Sequence, residues 1–160
     1  MGEAWHGDSR SLLKRLPDES VDLIFTSPPY ALLRKKSYGN ETEQDYVRWF
    51  RPVARQFHRV LKNTGSLVIN LGNTWIKGQP TRSLYPYRLL LDLCDPSSRR
   101  RSPRFHLAQE FFWLNPAKIP NPAQWVNVER VRVKDAVEPI WWLSKTPRPK
   151  SDNTKILVQY

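Results

Sequence analysis

The chain is 160 residues long with 39% hydrophobic, 12% aromatic and 26% charged residues, enough for one compact core and too little for two ordinary domains. Its 26 Lys and Arg against 15 Asp and Glu give a net charge of +11, which points to a polyanionic partner, nucleic acid first. No stretch approaches the roughly 20 apolar residues of a membrane span, and Trp5, His6 and Asp8 stand where a basic-then-apolar signal would.

Along the chain the hydrophobic period switches repeatedly between strand-like and helix-like, which predicts an α/β fold. Ser9 to Leu16 is expected to form a short helix with Leu12, Leu13 and Leu16 on its apolar face, capped by Asp8 or Ser9 and stopped by Pro17. Val21 to Phe25 reads as a buried strand. Tyr46, Trp49, Phe50, Val53, Phe57, Val60 and Leu61 recur at spacings of three and four, predicting a helix over Glu43 to Leu61 that Asn63 and Gly65 end. Ser66 to Leu71 is the next strand. It should run parallel to the first, because a helix long enough for a right-handed crossover separates them.

A further helix is predicted from Arg82 to Asp95. The segment 96–104 is rich in Ser and Arg, has no periodicity and should be a mobile basic loop. Phe105 to Leu114 and Glu138 to Leu143 are apolar, aromatic strand candidates, expected to close the sheet as an antiparallel pair. Trp141 and Trp142 are neighbours in such a strand, so their opposite faces place at least one in the core. Between the two strands, residues 115–135 mix Lys118, Trp125, Asn127, Arg130, Arg132 and Lys134 in an irregular segment suited to lie along a groove and read base edges. Trp125 would serve equally to anchor that segment to the core.

The charge is +4 over residues 1–80 (12 basic, 8 acidic) and +7 over residues 81–160 (14 basic, 7 acidic), so it belongs to the folded surface and not to a tail. Cys94 is the only cysteine, which excludes an internal disulfide and a cysteine-based zinc site and fits a reducing, cytoplasmic setting. It lies outside any nucleophile motif. His6, His58 and His106 are isolated from each other and from any acidic pair, so they are expected to be structural and no metal site is expected.

The segment that carries chemistry is Thr26-Ser27-Pro28-Pro29-Tyr30, at the C-terminal end of the first strand, where open α/β sheets place their ligands. Two successive prolines fix φ and donate no amide hydrogen, leaving the Ser27 and Pro28 carbonyls as rigid acceptors. An exocyclic base amine is a matching donor. If the Ser27 hydroxyl and the Pro28 carbonyl hold both amine hydrogens out of the ring plane, the nitrogen lone pair localises and attacks an electrophilic carbon in line. Tyr30 would stack on the base, which must first leave its duplex. Read in isolation, Ser-Pro-Pro also makes an ordinary turn after a strand.

The sequence resembles the amino-group DNA methyltransferases, whose catalytic motif is Asp, Asn or Ser followed by Pro-Pro and Tyr or Phe directly after a strand. TSPPYALLRKKSYGN at 26–40, SLVINLG at 66–72, WLNPAKIPNP at 113–122 and VRVKDAVEPIWWLSKT at 131–146 are similar to the cytosine-N4 DNA methyltransferases of the PvuII type. The resemblance implies a partial Rossmann-like sheet with flanking helices, bearing a C-terminal antiparallel strand pair, in one partial methyltransferase domain over 1–160. It implies methyl transfer from S-adenosylmethionine, without a metal, to cytosine N4 in double-stranded DNA, as in a prokaryotic restriction-modification system. The serine form of the motif favours cytosine; adenine N6 is the alternative.

Carried over by position, Ser27, Pro28, Pro29 and Tyr30 are the catalytic loop, and Asp8 matches the acidic residue facing the cofactor's adenine. Asp8 is equally a helix cap. Arg34, Lys35 and Lys36 would meet phosphates flanking the flipped base, with a solvated loop run as the other reading; Lys118, Arg130, Arg132 and Lys134 are the DNA-contact candidates of the 115–135 target-recognition segment. The family holds its cofactor with a Phe-x-Gly-x-Gly loop after a strand, where glycines allow close backbone approach. Gly2, Gly7, Gly39, Gly65, Gly72 and Gly78 contain no such pair. In this branch the loop follows the catalytic motif in the chain, so a C-terminal portion or a second chain is expected to supply it. Segment 96–104 also departs from the short turn usual there. An incomplete, DNA-binding remnant is the other functional expectation.

Overall fold

A computed structural model describes residues 2–31, 41–97, 102–120 and 122–155. In chain order the elements are α1 (Ser9–Leu12), β1 (Val21–Thr26), α2 (Tyr46–Val60), β2 (Leu61–Asn70), α3 (Tyr85–Cys94), β3 (His106–Leu114) and β4 (Val137–Ser144). Asp8 caps α1 by accepting the Arg10 amide at 2.8 Å, and the helix tightens into a 3-10 turn over Leu13–Arg15 before Leu16 turns extended ahead of Pro17.

The amphipathic period of α2 is realised as expected: Tyr46, Phe50, Val53, Ala54, Phe57 and Val60 are its buried residues. Its ends are not. Leu61, expected to finish the helix, is already extended and pairs with Val21, so β2 follows α2 without a loop and Asn63 and Gly65 lie inside a strand. The register then slips, with Leu23 opposite Ser66, so residues 62–65 form a bulge. Gly65 permits it, since a Cβ there would lie 3.0 Å from the Asp22 carbonyl oxygen and 2.9 Å from the Leu61 side chain.

The strands form one mixed sheet in the order β1-β2-β4-β3. β1 and β2 are parallel across the α2 crossover, as expected of a βαβ unit, and β3 and β4 form the expected antiparallel pair. β4, the later strand, takes the place beside β2 and sends β3 to the far edge. One sheet face packs on α2 and α3 through Leu67, Ile69, Trp141 and Leu143, with Leu89 and Leu93 of α3 in the same core. The segment 96–104 joins α3 to β3; its residues 98–101 lie outside the described ones, and beyond it the Phe105 amide donates to the Leu93 carbonyl at 2.8 Å.

The opposite face is uncovered. Val21 to Phe25 is a strand as predicted but not a buried one: Leu23 and Phe25 are 57% and 68% exposed, because no described helix lies on that side. Phe111 and Trp113 of β3 share the same face by register and are exposed too. A parallel strand is ordinarily buried on both sides, and β1 also stands at the sheet edge. Trp141 and Trp142 divide as expected: Trp141 is 1% exposed and donates Nε1–H to Glu110 Oε1 at 3.1 Å, while Trp142 faces the other way and donates to Ser66 Oγ at 2.9 Å. Trp141→Ala should cost about 3–5 kcal/mol of stability, read as a lowered urea midpoint. Among the described residues no helix is long and apolar enough to cross a membrane.

Candidate active site

Three strand ends converge at one place. Thr26 of β1 runs into Ser27-Pro28-Pro29-Tyr30, β2 ends at Asn70, and β4, being antiparallel, begins there with Val137 and Glu138. The Tyr30 hydroxyl sits at the junction, 2.8 Å from Asn70 Oδ1 and 3.2 Å from Glu138 Oε2. The Ser27 hydroxyl lies 3.2 Å from the Tyr30 oxygen and 3.4 Å from Asn70 Oδ1. Asn70 is buried, and its Nδ2 donates to the Pro139 carbonyl at 3.3 Å, which turns Oδ1 toward Tyr30.

The tyrosine is seated as tightly as its hydroxyl is bonded. A Cβ on Gly72 would fall 2.2 Å from Tyr30 Cε2, so only glycine lets the ring lie against this backbone. From α2, Tyr46 donates its hydroxyl to the Pro29 carbonyl at 2.8 Å, and from α3, Tyr85 donates to the Gly72 carbonyl at 2.5 Å. Burial raises the ionisation of Tyr30, Tyr46 and Tyr85 above the ordinary tyrosine value, so all three remain protonated donors at neutral pH. Burial also pushes the Cys94 thiol up to about 12, in keeping with a packing residue and not a nucleophile.

Beside the Ser-Pro-Pro turn opens a cavity of about 550 Å3. Ser27, Pro28 and Pro29 form one wall, Trp49, Phe50, Val53 and Phe57 of α2 another, and Asp8, Ser9 and Glu41 the polar rim. Asp8 thus caps α1 and also lines the cavity. Its carboxylate is held below the usual range by hydrogen bonds from Arg10, 2.7 Å away.

The basic candidates divide. Arg34, Lys35 and Lys36 lie outside the described residues. Lys118 donates to Glu138 Oε1 at 2.8 Å, and Arg132 lies 4.0 Å over the Trp75 ring, bonds the Pro80 carbonyl and pairs with Asp135 at 3.8 Å. Both are engaged within the protein, Arg132 at 14% exposed between a ring face and an acid and Lys118, at 32% exposed, with the Glu138 carboxylate. Arg130 is exposed in a left-handed conformation (φ 56°), and Lys134 is exposed with its ammonium on the Pro116 carbonyl at 2.7 Å. The backbone carbonyl of Trp125 accepts from the Val131 and Arg132 amides, closing the segment on itself.

Asn70, Gly72, Glu138, Tyr46, Tyr85 and Trp49 belong to the site or its support and were not singled out by sequence reasoning. Two left a signal: Asn70 is a polar end to the apolar run Leu67-Val68-Ile69, and Glu138 is a lone acid in the run Ala136 to Leu143. The tyrosines and Trp49 read only as members of helical stripes.

A protein-family model described as DNA methylase (N6_N4_Mtase) matches residues 21–160. The chain is 47% identical over 159 residues to the type II methyltransferase M.PvuII of Proteus hauseri, covering 99% of this chain and 46% of that protein. It is 30% identical over 162 residues to the type II methyltransferase M.SfiI of Streptomyces fimbriatus, covering 89% and 35%. The solved structure titled PvuII DNA methyltransferase (cytosine-N4-specific) matches with a TM-score of 0.80 and 48% identity over 94% of this chain and 51% of that one. The chain therefore spans about half the length of M.PvuII and about a third of M.SfiI.

Proposed function

The chain belongs to the N6_N4_Mtase family of DNA methylases, and on that premise we propose that it is the catalytic and target-recognition part of a site-specific DNA methyltransferase acting on cytosine N4. The observation that carries this reading is the Ser27–Tyr30–Asn70–Glu138 cluster at the C-terminal ends of the parallel strands, an acceptor-rich site beside a ligand-sized cavity. Serine at the head of the motif and the cytosine-N4 specificity of the PvuII enzyme favour cytosine over adenine.

Ser27 Oγ and the Pro28 carbonyl accept the two hydrogens of the exocyclic amine, which frees the nitrogen lone pair for attack. Tyr30, fixed by its hydroxyl and by Gly72, offers the base a ring to lie against. Flipping the base out of double-stranded DNA costs a few kcal/mol, repaid by such contacts. Arg34, Lys35, Lys36, Arg130 and Lys134 meet phosphates, and Lys118 and Arg132 hold the target-recognition segment in shape.

The cavity's carboxylates, hydroxyls and aromatic wall, with Arg10 paired to Asp8 at its rim, fit S-adenosylmethionine, a sulfonium with a flat adenine ring, ribose hydroxyls and a charged amino-acid end. Asp8, Ser9 and Glu41 would hold its polar groups and Trp49 its flat ring. Bound there, the cofactor supplies an electrophilic methyl group on sulfur. The remaining walls of this pocket, including a glycine loop, come from polypeptide equivalent to the unmatched half of M.PvuII. The bare Leu23 and Phe25 face of the edge strand β1 supports that reading. A prokaryotic cytoplasm, as part of a restriction-modification system, is the setting that fits.

The test is incorporation of labelled methyl from S-adenosylmethionine into unmethylated plasmid DNA, by the chain alone and mixed with the unmatched half of M.PvuII. Label in either arm is the expected result. Salt-sensitive DNA binding without label in either arm would reduce the chain to a DNA-binding remnant.

A further inference from the structure

Glu138 is a half-buried acid that the chemistry above does not use. Its carboxylate bridges two parts of the molecule: Oε2 faces the Tyr30 hydroxyl at 3.2 Å, and Oε1 takes the Lys118 ammonium at 2.8 Å. Lys118 comes from the segment between β3 and β4 that reads as target recognition, whereas Tyr30 comes from the catalytic loop. The carboxylate's side chain is 13% exposed and that of Lys118 is 32% exposed, so the link is screened from solvent.

The direction of the hydrogen bonds follows from counting protons. A tyrosine hydroxyl has one hydrogen and two lone pairs, and a carboxylate only accepts. With Asn70 Oδ1 and Glu138 Oε2 both acceptors, the Tyr30 hydrogen goes to one of them, and the Ser27 hydrogen goes to the Tyr30 oxygen at 3.2 Å or to Asn70 Oδ1 at 3.4 Å. Ser27 has then spent its only hydrogen. What it shows the cavity is lone pairs.

We propose that Glu138, oriented by Lys118, is a positioning residue that ties the target-recognition segment to the direction of the Tyr30–Ser27 hydroxyl chain, so that Ser27 meets the incoming amine as an acceptor. The proposal rests on the reading of this site as an amine-binding one. A glutamine at 138 would keep the shape but offer Tyr30 a competing donor and release Lys118. Other groups near Tyr30 do not duplicate the carboxylate: Tyr46 and Tyr85 are neutral, and the Asn70 amide carries no charge. Burial raises the Tyr30 ionisation most, the hydrogen bond with Ser27 pulls it down, and the Glu138 charge raises it.

The test needs no turnover. In the full chain carrying 13Cζ-labelled tyrosine, with Tyr30 assigned by Tyr30→Phe, NMR should show Tyr30 ionising above the ordinary tyrosine value. Glu138→Gln should lower that midpoint, and Lys118→Met, which leaves the carboxylate uncompensated, should raise it. A Tyr30 midpoint indifferent to both substitutions overturns the proposal. In the methyl-transfer assay Glu138→Gln should lower kcat by about tenfold, the loss of one charge-assisted hydrogen bond. In a Tyr30→Phe background the same substitution should have no further effect on kcat; additive losses also overturn it. If the wild-type chain transfers no methyl either alone or with the complementing half of M.PvuII, that counts against the enzyme reading, while the titration still decides this one.

Discussion

Ser27→Ala should slow methyl transfer by about 100- to 1,000-fold, equivalent to about 2.7–4 kcal/mol of barrier, the range measured when one preorganised polar group is removed from a reacting centre. The substitution deletes one oxygen from an exposed residue whose neighbours Pro28 and Pro29 fix the backbone, so the fold should be unaffected. DNA affinity should hardly change, because in the proposed reaction Ser27 meets the amine and carries no part of the phosphate attraction. A reduced kcat at constant KM assigns the loss to the transition state. Single-turnover rates within about threefold of wild type would remove Ser27 from the chemistry, since one lost amine contact is worth more than that.

The second large effect is expected at Gly72. An alanine there would place Cβ 2.2 Å from Tyr30 Cε2, 2.7 Å from Cδ2 and 2.9 Å from Cζ, so the ring must move. It has no easy retreat, because its hydroxyl is held by Asn70 and Glu138 and the preceding Pro29 carbonyl by Tyr46. Gly72→Ala should therefore cost about 1–3 kcal/mol of stability from overpacking. Activity should fall by about 100-fold as the Ser27–Tyr30 loop shifts by an ångström or so. Pairing it with Tyr30→Ala should restore the stability but not the rate. A Gly72→Ala protein of native stability and full activity would mean that Tyr30 does not rest on this backbone.

The elements that follow from hydrophobic period were legible from the sequence. The α2 stripe and the parallel β1–β2 pair could be read because burial of one helix face and a crossover of sufficient length leave little choice. The end of α2 could not be read: Asn63 and Gly65 have the chemistry of a helix stop, yet pairing of Leu61 with Val21 draws them into a bulged strand. Local propensity gave way there to a tertiary contact. The exposure of Leu23 and Phe25 was equally hidden, because period identifies an apolar strand but not which of its faces finds a partner.

The Ser-Pro-Pro-Tyr loop announced itself through composition, since it follows a strand and is both stiff and rich in acceptors. Its support did not. Asn70 and Glu138 lie 43 and 111 residues from Ser27 in sequence, and only the antiparallel return of β4 beside β2 brings them to one hydroxyl. Charge counting likewise marked Lys118 and Arg132 as cations without showing that Glu138, Trp75 and Asp135 wait beside them.

Nucleoside mass spectrometry of plasmid DNA, digested after incubation with the chain, the complementary half of M.PvuII and methyl-labelled S-adenosylmethionine, tests the central claim most directly. N4-methylcytosine that vanishes with Ser27→Ala is the expected result. N6-methyladenine in its place would contradict the base assignment, and labelled DNA undiminished by Ser27→Ala would contradict the site itself.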